Sequence, residues 1–314
     1  MKKFYLLCSF LLLLFYFQTD AIAADKEFVF CGGPSGGTFM YFANGISKLA
    51  EKYDMKVTAI PTKGSVDNIR MLQNNQANFA IAYASDANLA RQGLLKGDNT
   101  TYDKVLGAGV LYSGKIHIII KRDSGIRTLS DLKGKRIAVG EAGTGAASSA
   151  ERILSHMGIW ENISRYYIGY RKAESAFKSG MVDTVWVFAG IPNSSVSEML
   201  LDNKATLLDL RNDMEDILSV SSNYRSVKIP KGTYNDSPAV DTVEADAVLL
   251  TNRFTSEKDV SRMMEMIYNP SSVRYMSTQH PAAIEIHLDP NMNRMMVPPH
   301  PGAIRFWREK RLTH

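Results

Sequence analysis

Cysteine is almost missing: the 314-residue chain has two, Cys8 and Cys31. Cys8 sits inside an N-terminal apolar run, so Cys31 stands alone once that run is removed. An intramolecular disulfide scaffold is thereby excluded. Cys8 follows Tyr5-Leu6-Leu7 with no small residue before it, so the pattern for a lipid-attached cysteine is missing too. The six histidines show no pair four residues apart, and no CxxC occurs. A metal site has no sequence support, and no cofactor is expected. Charge of one sign is also in short supply, with 37 basic residues against 32 acidic ones. That excess is too mild and too spread for a nucleic-acid surface. The one dense basic cluster, Lys133-Gly134-Lys135-Arg136, reads as a solvated turn entering a strand.

Long apolar runs are equally scarce. The single one, Phe4 to Phe17, has 14 residues, where about 20 are needed to span a bilayer. Lys2 and Lys3 precede it and Ala21-Ile22-Ala23 follow it, which is the layout of a secretory signal peptide over residues 1–23. A mature chain of 291 residues from Ala24, with a formal charge of +4, is expected in the periplasm. With 45% hydrophobic residues, 22 Gly and 11 Pro, the remainder is neither collagenous nor disordered, and its length suits about two domains.

The chain reads as strand and helix in alternation. Phe28 to Cys31 is a short strand, Gly32-Gly33-Pro34-Ser35-Gly36-Gly37 a turn, and Phe39, Phe42, Ile46, Leu49 and Tyr53 mark one apolar helix face. A strand over 56–62, a helix over 66–72 with Ser65 as N-cap, and a strand over 79–83 follow. The pattern restarts with a strand at 136–139, a glycine turn at 140–145 and a helix at 146–157. Two lobes of similar build with mainly parallel sheets are expected. Ile116 to Ile120, apolar throughout, suits a buried strand crossing between lobes, with Ala245 to Leu250 as the return. Val260, Met263, Met264 and Ile267 read as core, and a terminal helix over 304–310 follows Pro298, Pro299 and Pro301.

Each glycine turn ends a strand and opens a helix, where backbone N–H groups lack internal partners and attract anions. Two such turns facing one another would hold a carboxylate without a catalytic group. Thr38, Thr144, Ser148 and Ser65 are candidate hydroxyl donors. Gly33-Pro34-Ser35-Gly36-Gly37 also fits the G-x-S-x-G elbow of serine hydrolases, which is the competing enzymatic reading. Against it, Ser35 follows the first mature strand, and no local pattern selects a partner among His280, His287 and His300. Gly143 to Ser148 is a poor dinucleotide fingerprint, lacking the acidic residue about 20 positions on. Ser130-Asp131-Leu132-Lys133 fits S-x-x-K, but Ser130 reads more simply as a helix N-cap.

Several stretches, in order and spread over nearly the whole mature chain, carry a family resemblance. They are Gly36-Gly37-Thr38-Phe39, Lys63-Gly64-Ser65-Val66-Asp67-Asn68-Ile69-Arg70, Asp131-Leu132-Lys133-Gly134-Lys135-Arg136, Gly143-Thr144-Gly145, Ala189-Gly190-Ile191-Pro192 and His300-Pro301-Gly302-Ala303-Ile304-Arg305. The sequence resembles the TAXI class of extracytoplasmic solute-binding proteins, which serve TRAP transporters. The resemblance implies an α/β, two-lobed, Venus-flytrap fold (type II). Lobe 1 would span 24–117 and 247–314, and lobe 2 would span 118–246. It implies a monomer, not an enzyme, that captures glutamate or a related carboxylate and delivers it to TRAP membrane subunits. Gly37, Thr38 and Phe39 would line one wall, Ser65, Asn68, Ser85 and His117 the floor and hinge, and Thr144, Gly145, Ala146, Phe188 and Gly190 the opposite wall. Phe39, Met40, Ala84 and Ala146 stand where the family commonly has polar side chains. These departures imply a drier pocket and a less polar carboxylate.

Overall fold

The computed structural model describes residues 26–201, 203–289 and 291–311. The expected signal peptide lies outside the described residues. Among the described residues no helix is long and apolar enough to cross a membrane.

The first half of the molecule alternates β1 (Glu27–Cys31), α1 (Thr38–Ala50), β2 (Lys56–Ile60), α2 (Ser65–Gln73), β3 (Phe79–Tyr83) and α3 (Ala84–Arg91). β4 (Val105–Lys121) then leads to the second half. There β5 (Arg136–Ala138), α4 (Gly145–His156), β6 (Ser164–Tyr166), α5 (Tyr170–Lys178) and β7 (Thr184–Ala189) repeat the alternation. After α6 (Ser194–Leu200), β8 (Ala205–Leu207), α7 (Met214–Ser219) and β9 (Arg225–Ile229), β10 (Val240–Asn252) returns the chain. The helices α8 (Glu257–Ile267), α9 (Pro270–Gln279) and α10 (Pro301–Arg311) close the first half.

The strands form one sheet in the order β2-β1-β3-β10-β4-β7-β5-β6, with β8 on β4 and β9 on β10. β1 pairs in parallel with β2 and β3, and β5 with β6 and β7. The middle is antiparallel: β10 against β3, β4 and β9, and β4 against β7. The sheet is therefore parallel toward its two ends and mixed overall. The reason is topological, since β4 and β10 are the crossings that both halves share. β4 pairs with β10 from Val105 to Lys115, then with β7 from Lys115 to Ile120. Ile116 to Ile120 is the second portion of this long strand, and Ala245 to Leu250 lies inside β10.

Side-chain alternation sets the layers. In β3, Phe79, Ile81 and Tyr83 join one core cluster and Ala80 and Ala82 another. In β7, Trp186 and Phe188 face the first of these clusters, while Val185, Val187 and Ala189 face a third. Tyr83 and Phe188 are thus turned toward the same layer, near the C-terminal ends of their strands. Val260, Met263, Met264 and Ile267 of α8 are fully buried, as expected of core. α10 starts at Pro301, earlier than the sequence spacing predicts, because proline is pre-shaped for a first helical turn. It is fastened to the first half by Trp307 Nε1, which donates to the Ala108 carbonyl at 3.0 Å, and by His300 N, which donates to Gly107 O at 2.8 Å.

Two expected caps fall elsewhere. Ser65 is the first residue of α2, and Gly64, at φ 116°, caps it. The Ser65 hydroxyl instead accepts from the Tyr83 N–H at 2.9 Å, a tertiary contact that outweighs the local role. Ser130 lies within a short 3₁₀ turn whose cap is Thr128, closed reciprocally with Asp131.

Candidate functional site

A narrow cavity of about 40 Å³ lies between the two halves. Four helices begin at its wall: the N-caps of α1, α2, α4 and α5 are Gly37, Gly64, Thr144 and Gly169, and all four line it. A cap residue ordinarily supplies a side-chain oxygen to the N–H groups of the first turn. Thr144 does so, accepting from Ala147 N at 3.1 Å. The three glycines have no oxygen to give. First-turn N–H groups of α1 and α5 therefore face the cavity end of each helix without a capping side chain, where an anion's oxygens are the natural acceptors, while in α2 the Val66 N–H is taken by the Gly143 carbonyl.

Aromatic rings make up the rest of the wall: Phe39, Tyr83, Tyr112, Tyr170 and Phe188. Tyr83 crosses from the first half and stacks on Phe188, ring centroids 3.7 Å apart and planes within 6°. Its hydroxyl donates to the Phe188 carbonyl at 3.0 Å, which also accepts from Tyr170 at 2.9 Å. Such closeness depends on Gly145, where a Cβ would stand 2.3 Å from the Tyr83 ring. Burial pushes the Tyr170 phenol up to about 12, and those of Tyr83 and Tyr112 well above their ordinary range, so all three stay neutral hydroxyls. The Tyr112 hydroxyl is buried and has no hydrogen-bond partner.

Among the described residues no lysine or arginine lines the cavity. Its single ionisable acid is Glu141, carried by the turn between Gly140 and Gly143. The two halves also touch through Gly190 N, which donates to Thr38 Oγ1 at 3.1 Å, and Val66 N, which donates to Gly143 O at 3.1 Å. At the cleft's edge Asp86 of α3 meets Arg152 of α4 at 2.7 Å, with Ser148 on the same carboxylate oxygen and Tyr224 on the guanidinium at 2.8 Å. The two halves are closed against each other.

The sequence-predicted residues divide into those at the wall and those behind it. Gly37, Thr38, Phe39, Ser65, Thr144, Gly145, Ala146 and Phe188 line the cavity. Gly190 stands behind it, its backbone held by Thr38. Asn68 is a brace under the first glycine turn: its amide donates to Gly32 O at 2.6 Å and Ile81 O at 2.7 Å. Ser85 belongs to the Arg152 cluster. His117 is on the crossing strand, away from the cavity, with Nε2 2.8 Å from the Tyr234 hydroxyl. Of the apolar departures from the family pattern, Phe39 and Ala146 are at the wall. Met40 and Ala84 are not, and Met40 packs on Gly32. Sequence reasoning missed Tyr83, Tyr112, Tyr170 and Glu141.

Ser35 is exposed at the tip of its turn and makes no hydrogen bond to a histidine among the described residues. His280 is occupied with Thr38 Oγ1 and Ala282 N, and His300 with Gly302 N. His287 lies with its Nδ1 against the Glu285 carbonyl, so among the described residues no histidine is hydrogen-bonded to Ser35.

Two α/β halves on shared crossing strands with a closed cleft between them constitute the fold of periplasmic solute-binding proteins. A profile of the NMT1-like family matches residues 30–310, and the chain belongs to that family. It is similar in fold to MatC of Rhodopseudomonas palustris, solved with bound malate, at TM-score 0.59 and 12% identity, covering 90% of this chain and 98% of that one. It is likewise similar to the periplasmic aliphatic sulphonate binding protein SsuA of Escherichia coli, at TM-score 0.51 and 16% identity, covering 90% and 83%. A third similar fold is the substrate binding protein of an amino acid ABC transporter, at TM-score 0.51 and 14% identity, covering 82% and 100%.

Proposed function

We propose that the chain is an exported, monomeric solute-binding protein that closes over a small carboxylate-bearing solute and releases it unaltered to the membrane subunits of a TRAP transporter. The observation that carries this reading is the meeting of four helix N-termini, three of them capped by glycine, at one cleft. Each helix end contributes about 0.3–1 kcal/mol to an exposed anion and up to ~2 when partly buried. Micromolar affinity needs roughly 8 kcal/mol, so the ends orient the carboxylate while burial against the rings supplies the balance. Malate in MatC and sulphonates for SsuA are anions taken by similar folds, which favours the class of solute. The TRAP assignment, and glutamate as a first trial ligand, rest on the TAXI-like motifs. Lobes at 24–117 with 247–314 and at 118–246 would hinge where β4 and β10 cross.

Gly145→Val tests the reading. Calorimetric titration with glutamate, malate and 3-phenylpropionate should show micromolar binding of at least one by the unmodified protein. In the variant the new side chain displaces Tyr83, and affinity should fall at least tenfold with little change in melting temperature. Unmoved affinity, or a solute recovered cleaved, would overturn the proposal.

A further inference from the structure

The charge pattern of the cavity goes one step past anion capture, and it rests on that reading. Every group placed to meet the solute is a backbone N–H end, a neutral hydroxyl or an aromatic face, except Glu141. Its carboxylate has no hydrogen bond and no ion pair with any described residue, although it is only half-exposed. Buried or half-buried acids in folded proteins generally find a partner. The Glu141 Oε1 atom comes within 2.7 Å of where a Cβ on Gly169 would stand, so the glycine is what admits it to this corner of the wall.

We infer that Glu141 is the specificity-determining residue of the cleft: it receives an ammonium group of the solute, beside the carboxylate held by the helix ends, and turns away solutes with a second carboxylate. An ammonium opposite Glu141 is charge-paired and sits among aromatic faces, which attract cations. A second carboxylate there meets like charge with no basic side chain in the cavity to offset it. The rest of the solute is apolar, because five rings enclose it. The class is an α-amino acid with an aromatic or branched apolar side chain, rather than a dicarboxylate. The Tyr112 hydroxyl, buried beside Thr38 and Tyr83 at the same wall with no well-formed hydrogen bond to a described residue, is a second polar group for a solute to meet there.

The competing explanation is local: a carboxylate beside Gly169 is also near the N-terminus of α5, where an acid stabilises a helix. Matched ligands separate the two. Phenylalanine and 3-phenylpropionate, leucine and 4-methylpentanoate, and succinate are titrated into the unmodified protein and into Glu141→Gln. The inference expects each amino acid to bind at least tenfold tighter than its deaminated partner, and succinate to bind weakest. Glu141→Gln should shrink the amino-acid preference to within about threefold and leave, or raise, affinity for the deaminated acids. Equal binding of the members of each pair by the unmodified protein, or a preference that survives Glu141→Gln, would overturn the inference and leave carboxylate capture standing. A variant that only melts earlier with its preference intact assigns Glu141 to helix capping and likewise overturns it. If no carboxylate of either kind binds, the underlying reading fails as well.

Discussion

The cleft and its edge hold their polar groups in opposite ways. At the edge charge meets charge: Asp86, whose side chain is fully buried, receives Arg152 and Ser148 on one oxygen, and Lys96 pairs with Glu151 across the same gap, while Asp86 Oδ2 and Arg152 Nε are left without a partner among the described residues. Inside the cleft the Tyr112 hydroxyl and the Glu141 carboxylate find no partner among the described residues, and the glycine caps of α1 and α5 leave helix ends without a capping side chain. The edge pairs join the halves alongside the Tyr83–Phe188 stack and the Gly190–Thr38 and Val66–Gly143 bonds, whereas the interior also presents polar groups to something that is not protein. Closure and recognition are therefore separable, and they should respond to different substitutions.

The largest expected effect comes from breaking the edge. Arg152→Ala leaves Asp86 buried and unpaired in the closed form, a cost of about 3–5 kcal/mol. The partners belong to different halves, so opening relieves that cost without unfolding either. Small-angle scattering should show a larger radius of gyration for the variant without solute, and melting should change less than the closed form's penalty. An unchanged radius would mean that the Tyr83–Phe188 stack alone keeps the cleft shut.

Acid should test a second pair of sites, one behind the cavity wall and one on the crossing strand β4. Burial pushes both His280 and His117 down to about 4. Since Ala282 N donates to His280 Nδ1, the ring's hydrogen is on Nε2, directed at Thr38 Oγ1. A neutral folded imidazole with an unfolded value near 6.5 means that the unfolded chain binds more protons between those values. Each histidine's contribution, about 3 kcal/mol, is complete above pH 6.5 and is lost as pH falls toward 4. His280→Asn retains an acceptor for Ala282 N and should flatten the stability profile over that window, as read by denaturant midpoints. An unaltered slope would place the burden on His117 and separate the cavity wall from the crossing strand.

Much of this arrangement was legible before the structure, and the rest was not for identifiable reasons. Phe79 to Tyr83 is bounded at both ends by its alternation, and the strand is found there unchanged. Gly37, Thr144 and Gly145 declare themselves because glycine between a strand and an apolar helix has few other uses. The antiparallel middle of the sheet escaped because β10 pairs with β3 across more than 160 residues, a distance over which no local pattern acts. Ser65 was misplaced because its hydroxyl serves Tyr83, a partner that only the tertiary fold supplies. Glu141 carries no signal at all as a lone acid inside a glycine turn. It gains meaning only when Gly169, 28 residues on, is brought beside it.

The smallest expected effect is the most telling, because its two halves have opposite sign. Tyr112→Phe removes a buried hydroxyl that bonds to nothing in the protein, so the solute-free chain should gain about 1 kcal/mol. For a chain of this size that is about 2 °C in melting temperature. The same change deprives a bound carboxylate or ammonium of one polar contact and should weaken binding roughly tenfold. A tyrosine kept only for packing would move neither quantity. One bonded within the protein would lose stability on losing its hydroxyl. Greater stability together with weaker binding is the combination expected of a hydroxyl that serves a solute, and a drop in both would return Tyr112 to the same footing as the edge.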